Sequence, residues 1–216
     1  MTKLPSELVP LIDSDILRYE CAWAGQAGWK HKTGGDDIPP FYFVESILLQ
    51  RIEDIKTACN TSKDPVLYYT SGRTFRYDIA KRKPYKGTRQ EVKPFHYNNL
   101  TVYLRDVLGA REVTGIEADD AIAIDHTASN GTTIVVSRDK DLRQLPGWSY
   151  GWELGRQASF GPELITKEGY IKLSPKRDKI VGPGLSFFYS QVLTGDATDN
   201  IPGLPNCGPV AAYQRL

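Results

Sequence analysis

Thiols and imidazoles are scarce in this chain. Its 216 residues include three cysteines (Cys21, Cys59, Cys207) and three histidines (His31, His96, His126). Neither set has metal-binding spacing, which argues against a zinc centre. No Ser/His or Cys/His arrangement marks a side-chain nucleophile. An odd cysteine count without a secretion signal fits a reducing cytosol, and the opening MTKLPSELVP lacks the apolar core of a signal peptide. No apolar run is long enough to cross a bilayer, so the chain is expected in the cytoplasm and away from membranes. Net charge is also nearly absent, at +1, so total charge does not point to nucleic acid. The remaining composition is ordinary for a globular chain, and the length suits one large domain or one domain with a small appendage.

Carboxylates are present, and in a pattern. Residues 115–141, GIEADDAIAIDHTASNGTTIVVSRDKD, hold two acidic clusters joined by a helix and a strand. Glu117, Asp119 and Asp120 form the first, and Asp139 and Asp141, just past the apolar run 132–136, form the second. On a helix starting near Glu117, residues three apart share a face, so Glu117 and Asp120 point one way with Asp119 at the helix entrance. Carboxylates held this close repel one another and cost energy to desolvate. A divalent cation offsets that cost, and hard oxygen ligands suit Mg²⁺ or Mn²⁺. The plainer reading of either cluster alone is an acidic first helical turn, favoured by the helix dipole, or a polar loop after a strand. A third pair, Asp196 and Asp199 in TGDATDNIPG at 194–203, weighs against it.

Strand-like and helix-like segments alternate. Residues 8–12 read as a first strand ending at Asp13, followed by a helix over 16–24. Residues 25–40, with GGDD at 34–37, read as an exposed loop. A helix over 41–59 carries Phe41, Val44, Ile47, Leu48, Ile52 and Ile55 at core spacing. A second strand over 65–69 ends at Thr70. A helix over 91–108 is expected to turn Phe95, Leu100, Tyr103, Leu104 and Val107 inward, and one over 118–129 to bury Ala121, Ile122 and Ile124. The β-branched run 132–137 suits a central parallel strand. Residues 148–154 and 171–173 are candidate peripheral strands, and a helix over 185–193 is expected to carry Phe187, Phe188 and Val192 to the core. This alternation predicts an α/β fold: a central, mostly parallel sheet with helices on both faces. Such sheets place their sites at the carboxyl ends of strands, which puts Asp13 on the same edge as Asp139 and Asp141. The alternative is that Asp13 or Ser14 only caps the next helix. Asp15 is a backup or a supporting partner.

The charge is unevenly distributed. Between positions 73 and 93 stand eight basic residues (Arg73, Arg76, Lys81, Arg82, Lys83, Lys86, Arg89, Lys93) against Asp78 and Glu91, a net +6 that leaves −5 for the rest of the chain. A basic band beside an acidic site is what a phosphodiester nuclease needs. Charge runs are also commonly just solvated loops, and that reading competes for this segment.

In order and spacing, GIEADD, SRDKD and GDATDNIPGLPNCGP together resemble the signature of the metal-dependent 5′-nucleases: phage 5′-exonucleases, the 5′-nuclease domain of bacterial DNA polymerase I, and flap endonucleases. The resemblance runs from about Ile12 to the end of the chain. It implies a PIN-like 5′-nuclease fold over residues 1–182, then over 183–216 the start of a helix-three-turn-helix DNA-binding region packed on it. It implies hydrolysis of DNA as a 5′-to-3′ exonuclease or a structure-specific flap endonuclease, with two Mg²⁺ or Mn²⁺ ions roughly 4 Å apart. Asp13, Glu117, Asp119 and Asp120 would hold one, and Asp139, Asp141, Asp196 and Asp199 the other. Pro84-Tyr85-Lys86-Gly87-Thr88-Arg89 resembles the family's Tyr-Lys-x-x-Arg element, in which Lys86 and Arg89 reach the scissile phosphate and Tyr85 stacks on a nucleotide. Lys86, Arg89, Asp13 and Asp120 are thus the candidate catalytic groups. Arg73, Arg76, Arg82, Lys83, Tyr85, Lys86, Arg89, Lys93, Gly203 and Gly208 are the candidate DNA-binding set. The hairpin at 203–209 would grip duplex phosphates and hold K⁺, although Asn206 and Val210 stand where glycine and lysine are frequent. The implied partner is DNA with a 5′ end, flap or nick, or an RNA–DNA hybrid, bound by a monomer. The chain stops at Leu216, inside the motif's second helix, and reads as truncated or minimal.

One departure stands out. The family usually has an aspartate where the second strand ends, and this chain has Thr70. That leaves a second reading: a catalytically weakened protein of the same fold that binds branched DNA. A third, an unrelated PIN-like ribonuclease, shares the acids but lacks the Gly-Pro hairpin.

Overall fold

The computed structural model describes residues 3–87 and 92–216. Its first strand, β1 (Val9–Asp13), lies between β2 (Val66–Thr74) and β4 (Thr133–Val136), with β3 (Arg111–Gly115) outside β2. Beyond β4 come β5 (Gly147–Gly151) and β6 (Phe160–Ile165), giving a sheet ordered β3-β2-β1-β4-β5-β6. Every pairing from β3 to β5 is parallel, and β6 returns antiparallel. Because β1 feeds β2 on one side and adjoins β4 on the other, the connections diverge there. That is the switch point at which open parallel sheets form crevices.

Alternation along the central strands separates two cores. Ile12, Leu67, Tyr69, Ile134 and Val136 face one way and pack on α1 (Ser14–Thr33), α2 (Phe41–Ala58) and α4 (Tyr97–Asp106). Leu11, Tyr68, Val113 and Val135 face the other way and pack on α5 (Ala118–Ala128) through Ala118, Ala121 and Ile122. A short helix, α3 (Arg76–Ile79), leads off β2. The C-terminal part holds the small ladder β7 (Lys172–Leu173) with β8 (Ile180–Val181), then α6 (Gly184–Thr194). The ladder β9 (Gly195–Asp196) with β10 (Ile201–Pro202) and α7 (Pro209–Tyr213) follow. Among the described residues no helix is long and apolar enough to cross a membrane.

Several local expectations are corrected. The segment 25–40 is not all loop: α1 continues to Thr33 and ends at Gly34, whose φ of 73° suits a left-handed cap. Gly25 permits the continuation. A Cβ there would lie 2.6 Å from Cγ2 of Val44, so its absence lets α2 cross closely. Trp29 adds an edge contact with Phe43, ring centroids 5.3 Å apart. The helix expected over 91–108 starts only at Tyr97, after Pro94, and Phe95 and Val107 are exposed. Ile124, Phe188 and Val192 are also exposed, because α5 and α6 each bury a narrow stripe and these residues lie outside it.

Gly25→Ala should gain about 1 kcal/mol of helix propensity yet lose about 1–3 kcal/mol to overpacking against Val44. A net destabilisation is expected in urea titrations. The double variant Gly25→Ala/Val44→Ala should be less destabilised than the sum of its parts.

Candidate active site

The ends of β1, β3 and β4 and the segment around β9 bring the acids together. Asp13 ends β1, where it is buried and caps α1, its Oδ1 accepting from the Asp15 backbone N–H at 3.1 Å. Capping and a place in the site are therefore not alternatives. Its Oδ2 accepts from the Ser137 hydroxyl at 2.9 Å, just past the end of β4. The same hydroxyl accepts from the Asp139 N–H at 2.9 Å, and Asp139 Oδ1 accepts from the Asp141 N–H at 2.8 Å, so the turn after β4 is wound around its own acids. Glu117 sits at the N-terminus of α5 and Asp119 and Asp120 in its first turn. Asp120 Oδ2 accepts from the Glu117 N–H at 3.0 Å, which fixes that turn.

Burial raises the Asp13 carboxyl to about 8, with Asp15 and Asp139 adding to the rise and the Ser137 hydrogen bond opposing it. Burial likewise lifts Asp119 to about 7, against the pull of Arg76 and with the help of Asp120, Glu117 and Asp139. Asp139 is raised by burial, and Asp141 and Asp199 add to that. These groups repel one another across the sheet edge, which makes one continuous acidic site. Asp141, Asp196 and Asp199 come closest to a coordination set: one carboxylate oxygen from each lies within 4.8 Å of the others. The donors are hard oxygens and several are buried with raised pKa, which fits divalent cations of the Mg²⁺ or Mn²⁺ type.

Three cations lie among these acids. Arg76 donates to both oxygens of Asp120, at 2.6 and 2.7 Å, and stands 3.3 Å from Glu117 and 3.7 Å from Asp119. Arg76, a candidate DNA-binding residue by sequence, sits inside the acidic cluster. Lys86 Nζ donates to Glu117 at 3.0 and 3.1 Å. Lys140 bridges Asp141 at 3.0 Å and Asp196 at 2.5 Å. Burial alone would raise Asp196, but hydrogen bonds from Lys140 and Thr198 hold it below the usual range. Gln191 donates to Asp141 at 2.8 Å. Sequence reasoning overlooked Lys140, Gln191 and Ser137. The alternation of Lys140 with two aspartates, and the place of Ser137 at a strand end, were the available signals.

The rest of the predicted set is scattered. Tyr85 is buried, its hydroxyl donating to Glu117 at 3.0 Å and its ring edge-on to Tyr77, so its face is not openly presented for stacking. Arg73 pairs with Asp78 at the surface, and Lys93 lies over the Tyr97 ring. Arg82 and Lys83 line a cleft of about 440 Å³ beside Arg76, with Phe75, Ile79 and Ile201 among its apolar walls. Arg89 lies outside the described residues. Asp15 is paired with the buried Arg18 at 2.6 Å. Gly203 packs so tightly that a Cβ would lie 2.2 Å from the Thr194 backbone, whereas Gly208 opens to free space.

A mostly parallel α/β sheet with an acidic edge at its switch point is an arrangement that suits phosphodiester-cleaving nucleases. No protein-family model matches the sequence. The chain is 31% identical over 161 residues to DNA polymerase I of Rhizobium leguminosarum, covering 70% of this chain and 14% of that protein. It is 29% identical over 152 residues to the flap endonuclease Xni of Shewanella halifaxensis, covering 67% and 56%. It thus spans under a quarter of the polymerase relatives and about half of the shorter ones. Among solved structures, the bacteriophage T5 flap endonuclease in a pseudo-enzyme–product complex with DNA and metal ions superposes with a TM-score of 0.61 at 15% identity, over 97% of this chain and 74% of that one. The catalytic core of Rad2 with DNA substrate gives 0.52 at 15% identity, over 97% and 60%. The chain belongs to the 5′-nuclease family.

Raised carboxyl pKa values mean that the folded protein holds protons the unfolded chain has released. Metal-free stability should therefore fall as pH rises from about 4, the ordinary aspartate value, to about 8, where Asp13 ionises. Thermal melts in EDTA should show this decline. Asp13→Asn should flatten it, and Mg²⁺ should raise the melting temperature most at the alkaline end.

Proposed function

We propose that this chain hydrolyses DNA phosphodiester bonds at or near a 5′ end, as a 5′-to-3′ exonuclease or flap endonuclease. The supporting observation is the run of mutually repelling carboxylates at the sheet edge, directly beside Lys86, Arg76 and the cleft lined by Lys81, Arg82 and Lys83. Asp13, Glu117, Asp119 and Asp120 would hold one divalent cation, and Asp139, Asp141, Asp196 and Asp199 a second. Bound cations supply charge neutralisation for the scissile phosphate and acidify the attacking water. The protein's own groups do the rest. Ser137 and the turn after β4 hold Asp13, Asp139 and Asp141 in place. Lys86, now on Glu117, is within the site and offsets charge developing on the phosphate, with Arg89 as its partner. The cleft, with aromatic and cationic walls, takes unpaired strand. The hairpin at 203–209 holds the duplex through backbone N–H groups and is the candidate K⁺ site. RNA–DNA hybrids are a further candidate substrate, and the protein acts as a monomer.

The test is digestion of 5′-labelled flap, nicked and blunt duplexes with Mg²⁺, with Mn²⁺ and with EDTA. Cleavage with either metal and none in EDTA is expected, and full cleavage in EDTA would end the metal-dependent reading. Thr70, in place of the usual strand-end aspartate, favours the second reading, a branched-DNA binder of weak activity. Tight binding without cleavage under all three conditions would establish it.

Lys86→Ala should slow single-turnover cleavage by roughly 10²-fold while changing the dissociation constant little. A mutant that loses affinity but keeps its rate would move Lys86 to the outer basic surface. At Gly208, φ is −75°, which proline already accepts, so Gly208→Pro removes one N–H with little strain. It should weaken binding of duplex-containing substrates and leave cleavage of bound substrate intact, as fluorescence anisotropy beside single-turnover kinetics would show.

A further inference from the structure

Thr70 has a defined partner. Alternation along β2 puts it on the same face as Tyr68, the face covered by α5. Its Oγ1 accepts a hydrogen bond from the backbone N–H of Ala118, the first residue of α5, at 2.9 Å. Its own N–H donates to both oxygens of Asp15, at 3.1 and 3.2 Å. Asp15 is in turn held by the guanidinium of Arg18 at 2.6 Å. Arg18 is buried, with its other arm on the Thr101 hydroxyl at 2.8 Å and its plane over the Tyr97 ring at 4.5 Å. A hydrogen-bonded path therefore runs from the α1/α4 layer, through the middle of β2, to the first turn of the helix on the opposite face.

We infer that Thr70 is a positioning residue for the acidic site, its hydroxyl anchoring the turn of α5 that carries Glu117, Asp119 and Asp120. This rests on the proposed metal-dependent reading. Ala118 lies between Glu117 and Asp119, so a shift of its N–H displaces the carboxylates on either side. The first-turn N–H groups of a helix have no partner within it, and a side-chain oxygen is the usual substitute. Here that oxygen comes from another strand, across the sheet edge. A hydroxyl suits this place because Asp15 is already in contact with the Thr70 backbone, and a carboxylate at position 70 would add repulsion. Outer groups that orient ligands commonly alter metal affinity without touching the metal.

The experiment titrates Mn²⁺ into DNA-free wild type, Thr70→Val, Thr70→Ala and Thr70→Ser by isothermal calorimetry. Valine keeps the shape and removes the acceptor, alanine removes it without added bulk, and serine keeps it. The valine and alanine variants should bind Mn²⁺ roughly 10-fold more weakly, and serine should stay close to wild type. Should the valine protein misfold, the alanine and serine pair carries the comparison. Wild-type affinity in either hydroxyl-free variant overturns the positioning role, as does a serine variant as weak as alanine. A wild type that binds no Mn²⁺ overturns instead the metal-dependent reading on which this rests.

Discussion

Electrostatic repulsion at the carboxyl edge of the sheet is the constraint the rest of the molecule accommodates. Parallel strands end together, and β1, β3 and β4 each deliver acids to that edge. Burial raises the cost of each negative charge, and neighbouring charges raise it further. Asp13 at about 8 and Asp119 at about 7 register this directly. A fold that needed only stability would not retain such a cluster, since replacing these acids would relieve it. The arrangement makes physical sense as a receptor for positive charge.

The protein answers part of this repulsion with its own cations. Arg76 serves Glu117, Asp119 and Asp120, Lys86 serves Glu117, and Lys140 serves Asp141 and Asp196. Asp13 and Asp139 are held instead by hydrogen bonds with Ser137 and backbone N–H groups. The site is thus divided between carboxylates paired with cationic side chains and carboxylates held by hydroxyl and backbone N–H groups. Scaffolding around it is equally specific: Arg18, Asp15 and Thr70 link the two helical layers through the sheet edge.

Much of this was legible in the sequence. Acidic residues follow apolar β-branched runs, and strand–helix alternation places Asp13 and Asp139 on one edge. Those signals are local, and periodicity of two against 3.6 residues is encoded along the chain. Helix limits were less legible. Gly25 looked like a loop residue, but its meaning lay in how closely Val44 approaches. The exposure of Ile124 and Val192 likewise depended on which stripe of each helix found a neighbour.

By itself the sequence determined the α/β alternation, the order of the strand ends and the identity of the carboxylates, because these follow from residue type and spacing. Only the tertiary structure decided which charge meets which. Arg76 lies 44 residues before Asp120, Lys140 lies 56 before Asp196, and Thr70 lies 48 before Ala118. Pairings at such separations are set by strand order and by the packing of α5 and the C-terminal segments on the sheet. The same basic residue reads as a phosphate anchor or as an internal counter-ion until the fold chooses its neighbour.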